Sequence, residues 1–316
     1  MAKILRMEQN ELSKNAKGGT ELMLERLYGS VPESLINKFQ IVPSRLRELE
    51  ENKKHIYWVH DLAGDPEVAH LKSGNWQNFD KVVFVSNWQQ QMYKTVLGVP
   101  YSAGTVIKNG IVPIEPHEKP EGVIRLVYFS TPHRGLDILV NVFSQLAKQY
   151  DNIELDIISS FELYGWKERD KPFLPIFNYC KRHPKINYYS SMSNEQIREH
   201  LKKCHIFAYP SKWEETSCLC LIEAMSAGLL CVHSSLGALP ETSMNLTMMY
   251  DYHEDDRSHA EIFYSNLKQA IDLYSSAKNF PRIMESVNEG KKMVDSANNW
   301  ENKKVQWENL LRHLTV

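Results

Sequence analysis

Short apolar runs rich in β-branched and aromatic residues alternate along this chain with stretches whose apolar residues recur at helical spacing. The runs His55–Val59, Lys81–Val85, Thr105–Ile107, Arg125–Phe129, Ile153–Ile158, Lys185–Tyr189, His205–Tyr209, Leu229–His233 and Thr247–Tyr250 read as buried strands. Between them, Thr20–Tyr28, Trp88–Leu97, Gly135–Gln149, Asn194–Lys203, Ser217–Ala227 and Ala260–Ser275 read as amphipathic helices, and Trp300–Leu314 as a last one. Strands that alternate with helices require crossover connections, and crossovers make parallel sheets covered on both faces. The fold class is therefore α/β.

The alternation is interrupted between Ile111 and Gly122. There the stretch Val112-Pro-Ile-Glu-Pro-His-Glu-Lys-Pro-Glu121 carries three prolines and several charges, so it reads as a linker. Two Rossmann-like domains are expected, residues 1–112 and 122–296, followed by a C-terminal helix over 297–316. Parallel sheets bind ligands beyond the carboxyl ends of their strands, so the residues just after strands deserve most weight.

Composition narrows the choice of chemistry. The 316 residues are 42% apolar and 24% charged, as in an ordinary globular protein. A formal net charge of −2 argues against general nucleic-acid binding, which needs a basic surface. The five cysteines form no CxxC pair and read as reduced thiols packed in a core. Met1 to Thr20 lack the apolar core of a signal peptide, and no run approaches the ~20 apolar residues that span a bilayer. A cytoplasmic protein with no transmembrane segment is expected, with peripheral membrane contact left open.

The densest chemical signal is Tyr209-Pro-Ser-Lys-Trp-Glu-Glu-Thr-Ser-Cys-Leu-Cys-Leu-Ile-Glu-Ala-Met-Ser-Ala-Gly228. Here a strand gives way to a loop and then to a helix expected to start at Ser217, a good N-cap residue. The backbone N–H groups at such a start favour an anion. Glu215 stands just before it and Glu223 about six residues in, or ~9 Å along the axis. Two carboxylates around an anion site could accept hydrogen bonds from two sugars flanking a diphosphate, although spacing alone equally admits ordinary surface glutamates. Other candidates also follow strands or open helices. Arg134–Gly135 offers a guanidinium for phosphate or simply a solvated helix start. His60, with Asp61 beside it, can donate to a sugar hydroxyl or merely cap a strand. Gly18–Gly19 allows close backbone approach to a ligand or is a plain turn. Ser86 and Asn109–Gly110 read as turn chemistry first. There is no GxGxxG, Walker lysine pattern or Asp-x-Asp, and His253 and His259 read as solvent-facing rather than as metal ligands.

The segment Glu215–Gly228 resembles the E-x7-E motif of retaining GT-B glycosyltransferases, family-4 members in particular. Seven residues separate Glu215 from Glu223, and Ala224-Met-Ser-Ala-Gly228 matches the small-residue run that follows in that family. Gly237-Ala-Leu-Pro-Glu241 resembles its next loop, and Arg134–Gly135 its lysine–glycine step beside the diphosphate. The resemblance implies two Rossmann-like domains facing a cleft and transfer of a sugar from a nucleotide-diphosphate donor, with retention and without a metal. It implies catalytic roles for Glu215, His60 and Arg134. Donor contacts would come from Gly18, Gly19, Arg134, Glu215, Thr216, Ser217, Cys218 and Glu223, with Glu215 on the donor sugar and Glu223 on the ribose. No cofactor is expected beyond the sugar-nucleotide substrate, and the acceptor, a glycan, lipid or other molecule, is not identified. The chain departs from the pattern in three places. Thr216-Ser217-Cys218 replaces the usual Gly-Phe-Gly, His133 is all that answers the family's second basic residue, and the first domain is short. A sugar-nucleotide epimerase and a non-catalytic nucleotide- or carbohydrate-binding protein share the fold and are the alternatives.

Overall fold

A computed structural model describes residues 18–46 and 48–315. The expectations that rest on Met1–Lys17, among them the reading of the first residues and Lys17 before the glycine pair, lie outside the described residues. The chain forms two compact units. The first takes in the described chain up to Val112, the three residues Glu215–Ser217, and the described chain from Ala297 onward; the second takes in Pro113–Glu214 and Cys218–Ser296.

In the first unit, α1 (Gly19–Ser30) and the short α2 (Glu33–Ile36) lead into β1 (Phe39–Pro43). The strands β2 (Lys54–Trp58) and β3 (Lys81–Phe84), the helix α3 (Asn87–Leu97) and the strand β4 (Gly104–Val106) follow. All four strands are parallel, in the spatial order β1-β2-β3-β4. β1 escaped the sequence reading because it ends in Pro43. Proline is tolerated there because β1 lies at the edge of the described sheet.

The second unit carries β5 (Ile124–Phe129), α4 (Leu136–Leu146), β6 (Ile153–Ile158), α5 (Leu174–Arg182), β7 (Ile186–Tyr189), α6 (Asn194–Leu201) and β8 (Ile206–Tyr209). It continues through α7 (Leu219–Ser226), β9 (Leu230–Ser234), α8 (Leu239–Ser243), β10 (Met248–Tyr250), α9 (Asp256–Ser275) and α10 (Phe280–Ala297). Its six strands are parallel in the order β10-β9-β8-β5-β6-β7. From β5 the chain winds outward to β7, then returns to lay β8 on the other side of β5 and winds outward again. The strand order therefore reverses between β5 and β8, and a parallel sheet opens its ligand crevice at such a reversal.

α11 (Trp300–Thr315) packs on the first unit, not the second. Ile111 exchanges backbone hydrogen bonds with Asn298 and Trp300 at 2.7 and 2.8 Å, and the Trp307 ring meets Trp58 edge-on at 4.7 Å. Gly110 makes this approach possible: a Cβ there would sit 2.8 Å from Lys303 Cγ and 2.9 Å from the Trp300 ring. Its neighbour Asn109 accepts from the Asn298 amide at 2.9 Å, so this turn serves packing.

The linker forms neither helix nor strand from Pro113 to Pro120, as its prolines dictate. It is nevertheless fastened to the second unit. Ile114 N–H donates to Ser226 Oγ at 2.9 Å, and Lys119 Nζ donates to Leu201 O and Ala227 O at 3.2 and 2.8 Å. These carbonyls end α6 and α7, where the helix dipole favours a cation.

One expectation about histidine is corrected. His253 is exposed, but His259 is fully buried and hydrogen-bonds Tyr250 Oη at 2.8 Å. Asp255 caps α9 through Ser258 N–H at 2.8 Å, starting the helix four residues before the apolar period shows and turning His259 inward. His259 and His233 are both pushed down to about 4 by burial, and His60 to about 3. Each stays neutral when folded but takes up a proton in the unfolded chain below its ordinary value near 6.5. The unfolded state then binds more protons, so stability falls as pH drops from about 6.5 towards 4. Urea unfolding at pH 7.5, 6.5 and 5.0 should show a midpoint that declines steadily below pH 6.5; a constant midpoint would show that these rings are charged in the fold.

Candidate functional site

At the strand-order reversal, the loops after β5 and β8 touch. Tyr128 Oη donates to Thr131 O at 2.7 Å, and Pro132–Arg134 form a tight 3₁₀ turn ending at Gly135. Gly135 has φ +102°, and a Cβ on it would lie 2.0 Å from Pro210 O. Only glycine lets the two loops meet so closely, because both the left-handed backbone and the space exclude a side chain. Arg134 is thereby carried at the junction, two residues before α4 begins.

Lys212, on the β8 loop, is matched by Asp137 at 2.7 Å and Asp256 at 3.1 Å. His133 adds no charge: burial, reinforced by the Arg134 and Arg169 cations, lowers it to about 4. Its ring stacks on Phe161 at 5.3 Å and meets Trp213 edge-on at 4.9 Å. This aromatic group was not legible in the sequence, because Phe161 comes from the loop after β6 and nothing in its spacing links it to His133.

α7 begins at Leu219 with Cys218 at its N-cap position and no side-chain cap. The expected cap at Ser217 is therefore corrected. Glu215–Ser217 group with the first unit, and the chain turns helical only after leaving it. The Cys218 side chain makes no cap hydrogen bond, and first-turn N–H groups at a helix start suit an anion. Glu223 lies on the fifth residue of α7 and is buried at 4% exposure. Asn194 Nδ2 donates to its Oε1 at 2.8 Å, and Arg198 Nη1 lies 3.9 Å from the same oxygen. Both partners belong to α6, whose start is fixed by a Ser193–Gln196 capping box. The sequence showed neither partner, since only folding lays α6 beside α7. The loop Gly237–Glu241 follows β9, with Gly237 at φ +65° and Ala238 buried.

The remaining candidates belong to the first unit. Gly18 precedes α1 and Gly19 opens it. Burial holds the Glu21 carboxyl above its ordinary value, with hydrogen bonds from the Glu21 and Gly18 amides offsetting only part of the rise. His60 and Asp61 follow β2. His60 N–H donates to Ser44 Oγ at 3.1 Å, and Asp61 O accepts from Gln89 Nε2 at 2.9 Å and Tyr93 Oη at 3.1 Å. His60 Nε2 is buried with no hydrogen-bond partner among the described residues. Being neutral, it suits an uncharged hydroxyl better than a phosphate. Glu215 is buried at 4% exposure, so it is no ordinary surface glutamate. Ser86 caps α3 by accepting from Gln89 N–H at 3.0 Å.

Among the described residues, Asp156, His200 and Cys204 are close enough to share an ion. Asp156 is fully buried on β6, where His200 Nε2 at 2.6 Å, Asn187 Nδ2 at 2.9 Å and Arg125 Nη1 at 3.2 Å already engage it. Burial raises this carboxyl, but the His200 and Asn187 hydrogen bonds and the Arg125 charge hold it below its ordinary value. The group reads as a compensated buried charge. Among the described residues, no helix is long and apolar enough to cross a membrane.

Comparison with known proteins places this arrangement. The family described as Glycosyl transferases group 1 matches residues 113–250. The chain is 22% identical over 283 residues to the lipopolysaccharide 1,2-N-acetylglucosaminetransferase of Salmonella typhimurium, covering 85% of this chain and 69% of that protein. In structure it is similar to a glycosyltransferase from Rickettsia africae, with TM-score 0.69, 14% identity, and coverage of 96% of this chain and 84% of the other. It is also similar to Anabaena HepE in complex with UDP-glucose, with TM-score 0.60, 15% identity, and coverage of 83% and 72%. Residues 113–250 thus match the glycosyltransferase group 1 family, and the two parallel sheets are those of the GT-B fold.

The Gly135–Pro210 contact can be tested against Gly122, which also has positive φ, at +94°, but open space around it. Gly122→Ala should cost about 1–2 kcal/mol, the ordinary left-handed penalty. Gly135→Ala should cost clearly more in the same denaturant titration. Equal costs would show that the loops do not meet as described.

Proposed function

We propose that this chain is a retaining, family-4-like glycosyltransferase that moves a hexosyl or N-acetylhexosaminyl group from a UDP-sugar to an acceptor glycan, lipid or other molecule. The observation that carries the reading is the strand reversal between β5 and β8. There Arg134 rides on a loop pinned by Gly135, in the unit that also holds the start of α7 and the oriented carboxylate of Glu223. An N-acetylglucosamine-transferring relative and a similar fold that holds UDP-glucose support this choice of donor.

In this reading Arg134 and the α7 amides stabilise the charge that grows on the leaving UDP as the anomeric bond breaks. Glu223 accepts hydrogen bonds from the ribose, and Glu215 from the transferred sugar. The Gly18–Gly19 turn lies along the diphosphate. His60 offers its neutral ring to a sugar hydroxyl. Thr216, Ser217 and Cys218 line the donor path. The sequence has no Asp-x-Asp pair to hold a divalent metal, so turnover is expected to persist in EDTA. The five free cysteines fit a reducing, cytoplasmic setting. The two domains of the reading are those on either side of the linker, with the donor-binding one C-terminal.

Incubating the protein with UDP-glucose, UDP-galactose or UDP-N-acetylglucosamine and following UDP release, with slow transfer to water standing in for the acceptor, tests this directly. One donor should be turned over in EDTA, with an α-configured product. Arg134→Ala should lower the rate on the order of 10²- to 10³-fold, as losing one transition-state donor does, with an unchanged melting temperature. Epimerised UDP-sugar without UDP release would make the protein an epimerase instead, and tight binding with no chemistry would make it a binding protein.

A further inference from the structure

The residue after Glu215 is where this chain leaves the glycine pattern it otherwise resembles, and the structure gives that departure a function. We infer that Thr216 is a positioning residue that fixes Glu215 and His60 in register within the first unit; this rests on the glycosyltransferase reading above.

Thr216 Oγ1 donates to His60 O at 2.9 Å, and Thr216 O accepts from Ser86 Oγ at 2.7 Å. One residue thus ties the segment carrying Glu215 to the carboxyl ends of two neighbouring strands, β2 and β3. The anchors are themselves held. Ser86 caps α3, and Gln89 donates to Asp61 O at 2.9 Å while its Oε1 accepts from Val85 N–H at 2.9 Å. Ser44 Oγ takes His60 N–H at 3.1 Å. The His60 peptide groups are therefore fixed on both sides, on the N–H side by Ser44 and on the carbonyl side by Thr216. Glycine at 216 could accept from Ser86 but could not reach His60. Threonine adds the hydroxyl, and its β-branching restricts χ1 so that the hydroxyl points one way. Glu215–Ser217 belongs to one unit while both its flanks belong to the other, and the two hydrogen bonds of Thr216 hold the segment that carries buried Glu215 to the first unit.

The test compares Thr216→Val, which keeps shape and removes the hydroxyl, with Thr216→Ser, which keeps the hydroxyl. Ser86→Ala is a poorer probe because it also uncaps α3. With the preferred UDP-sugar, Thr216→Val should lower kcat about 10- to 100-fold, the scale of a small misplacement of reacting groups, with KM and melting temperature nearly unchanged. Thr216→Ser should recover most of that loss. A valine variant with full kcat, or one in which serine fails to rescue, overturns the inference. A second readout does not need turnover. The His60 ring ¹⁵N signals, assigned by their loss in His60→Gln, should shift in Thr216→Val and return in Thr216→Ser, while those of His233 stay put. Shifted His60 signals in a protein that turns over no donor would sustain the tie while refuting the functional reading. Unmoved His60 signals would overturn the tie whatever the activity.

Discussion

The second unit depends on one close approach, the backbone of Gly135 lying against the carbonyl of Pro210. Parallel strands deliver their carboxyl-terminal loops to one edge, and where the strand order reverses the adjacent loops depart in opposite directions. Here those loops follow β5 and β8, and they diverge from a point of backbone contact that only glycine allows. Arg134, on one loop, cannot drift from Pro210 and Ser211 on the other. The second loop is secured in turn by Ser234 Oγ, which donates to Ser211 O at 2.7 Å.

Around this junction, charge has been removed rather than accumulated. Lys212 is consumed by two aspartates, and His133 is held neutral between aromatic rings. In the first unit, His60 is uncharged and its backbone N–H and carbonyl are engaged, while its Nε2 has no hydrogen-bond partner among the described residues. Elsewhere buried charge is neutralised locally, as at Asp156, where three side chains from β5, β7 and α6 converge on one carboxylate.

Most of the second unit could be read from the sequence because its strands are apolar runs set between amphipathic helices, and because the residues after them are chemically distinctive. β1 and α10 were not legible. In β1, Pro43 closes a five-residue run, and in α10, Pro281 and Gly290 break the apparent period. Proline is harmless in a first turn, and a Cβ on Gly290 would meet Leu246 O at 3.5 Å, an ordinary contact, so neither residue breaks the helix. Of the candidate residues, Arg134–Gly135, Glu215 and Glu223 were visible as motif. Ser217 was misread as a cap because its hydroxyl is of the right kind, whereas the chain at that point is held in the other unit. His259 was misread because its neighbours are polar, whereas an Asp255 cap turns it inward. Asn194, Phe161 and Trp213 could not have been found, since each acquires its role from a partner far away in the chain.

The most direct test of the account is a map of where UDP binds, obtained from backbone hydrogen exchange with and without the nucleotide. Protection should concentrate in the loop through Arg134 and Gly135, the loop after β8, and the first turn of α7, with the Asn194 end of α6 following. Protection confined instead to the cavity between α10 and the amino ends of β9 and β10, lined by Met225, Cys231 and Val287, would contradict it, because that cavity opens at the opposite end of the strands.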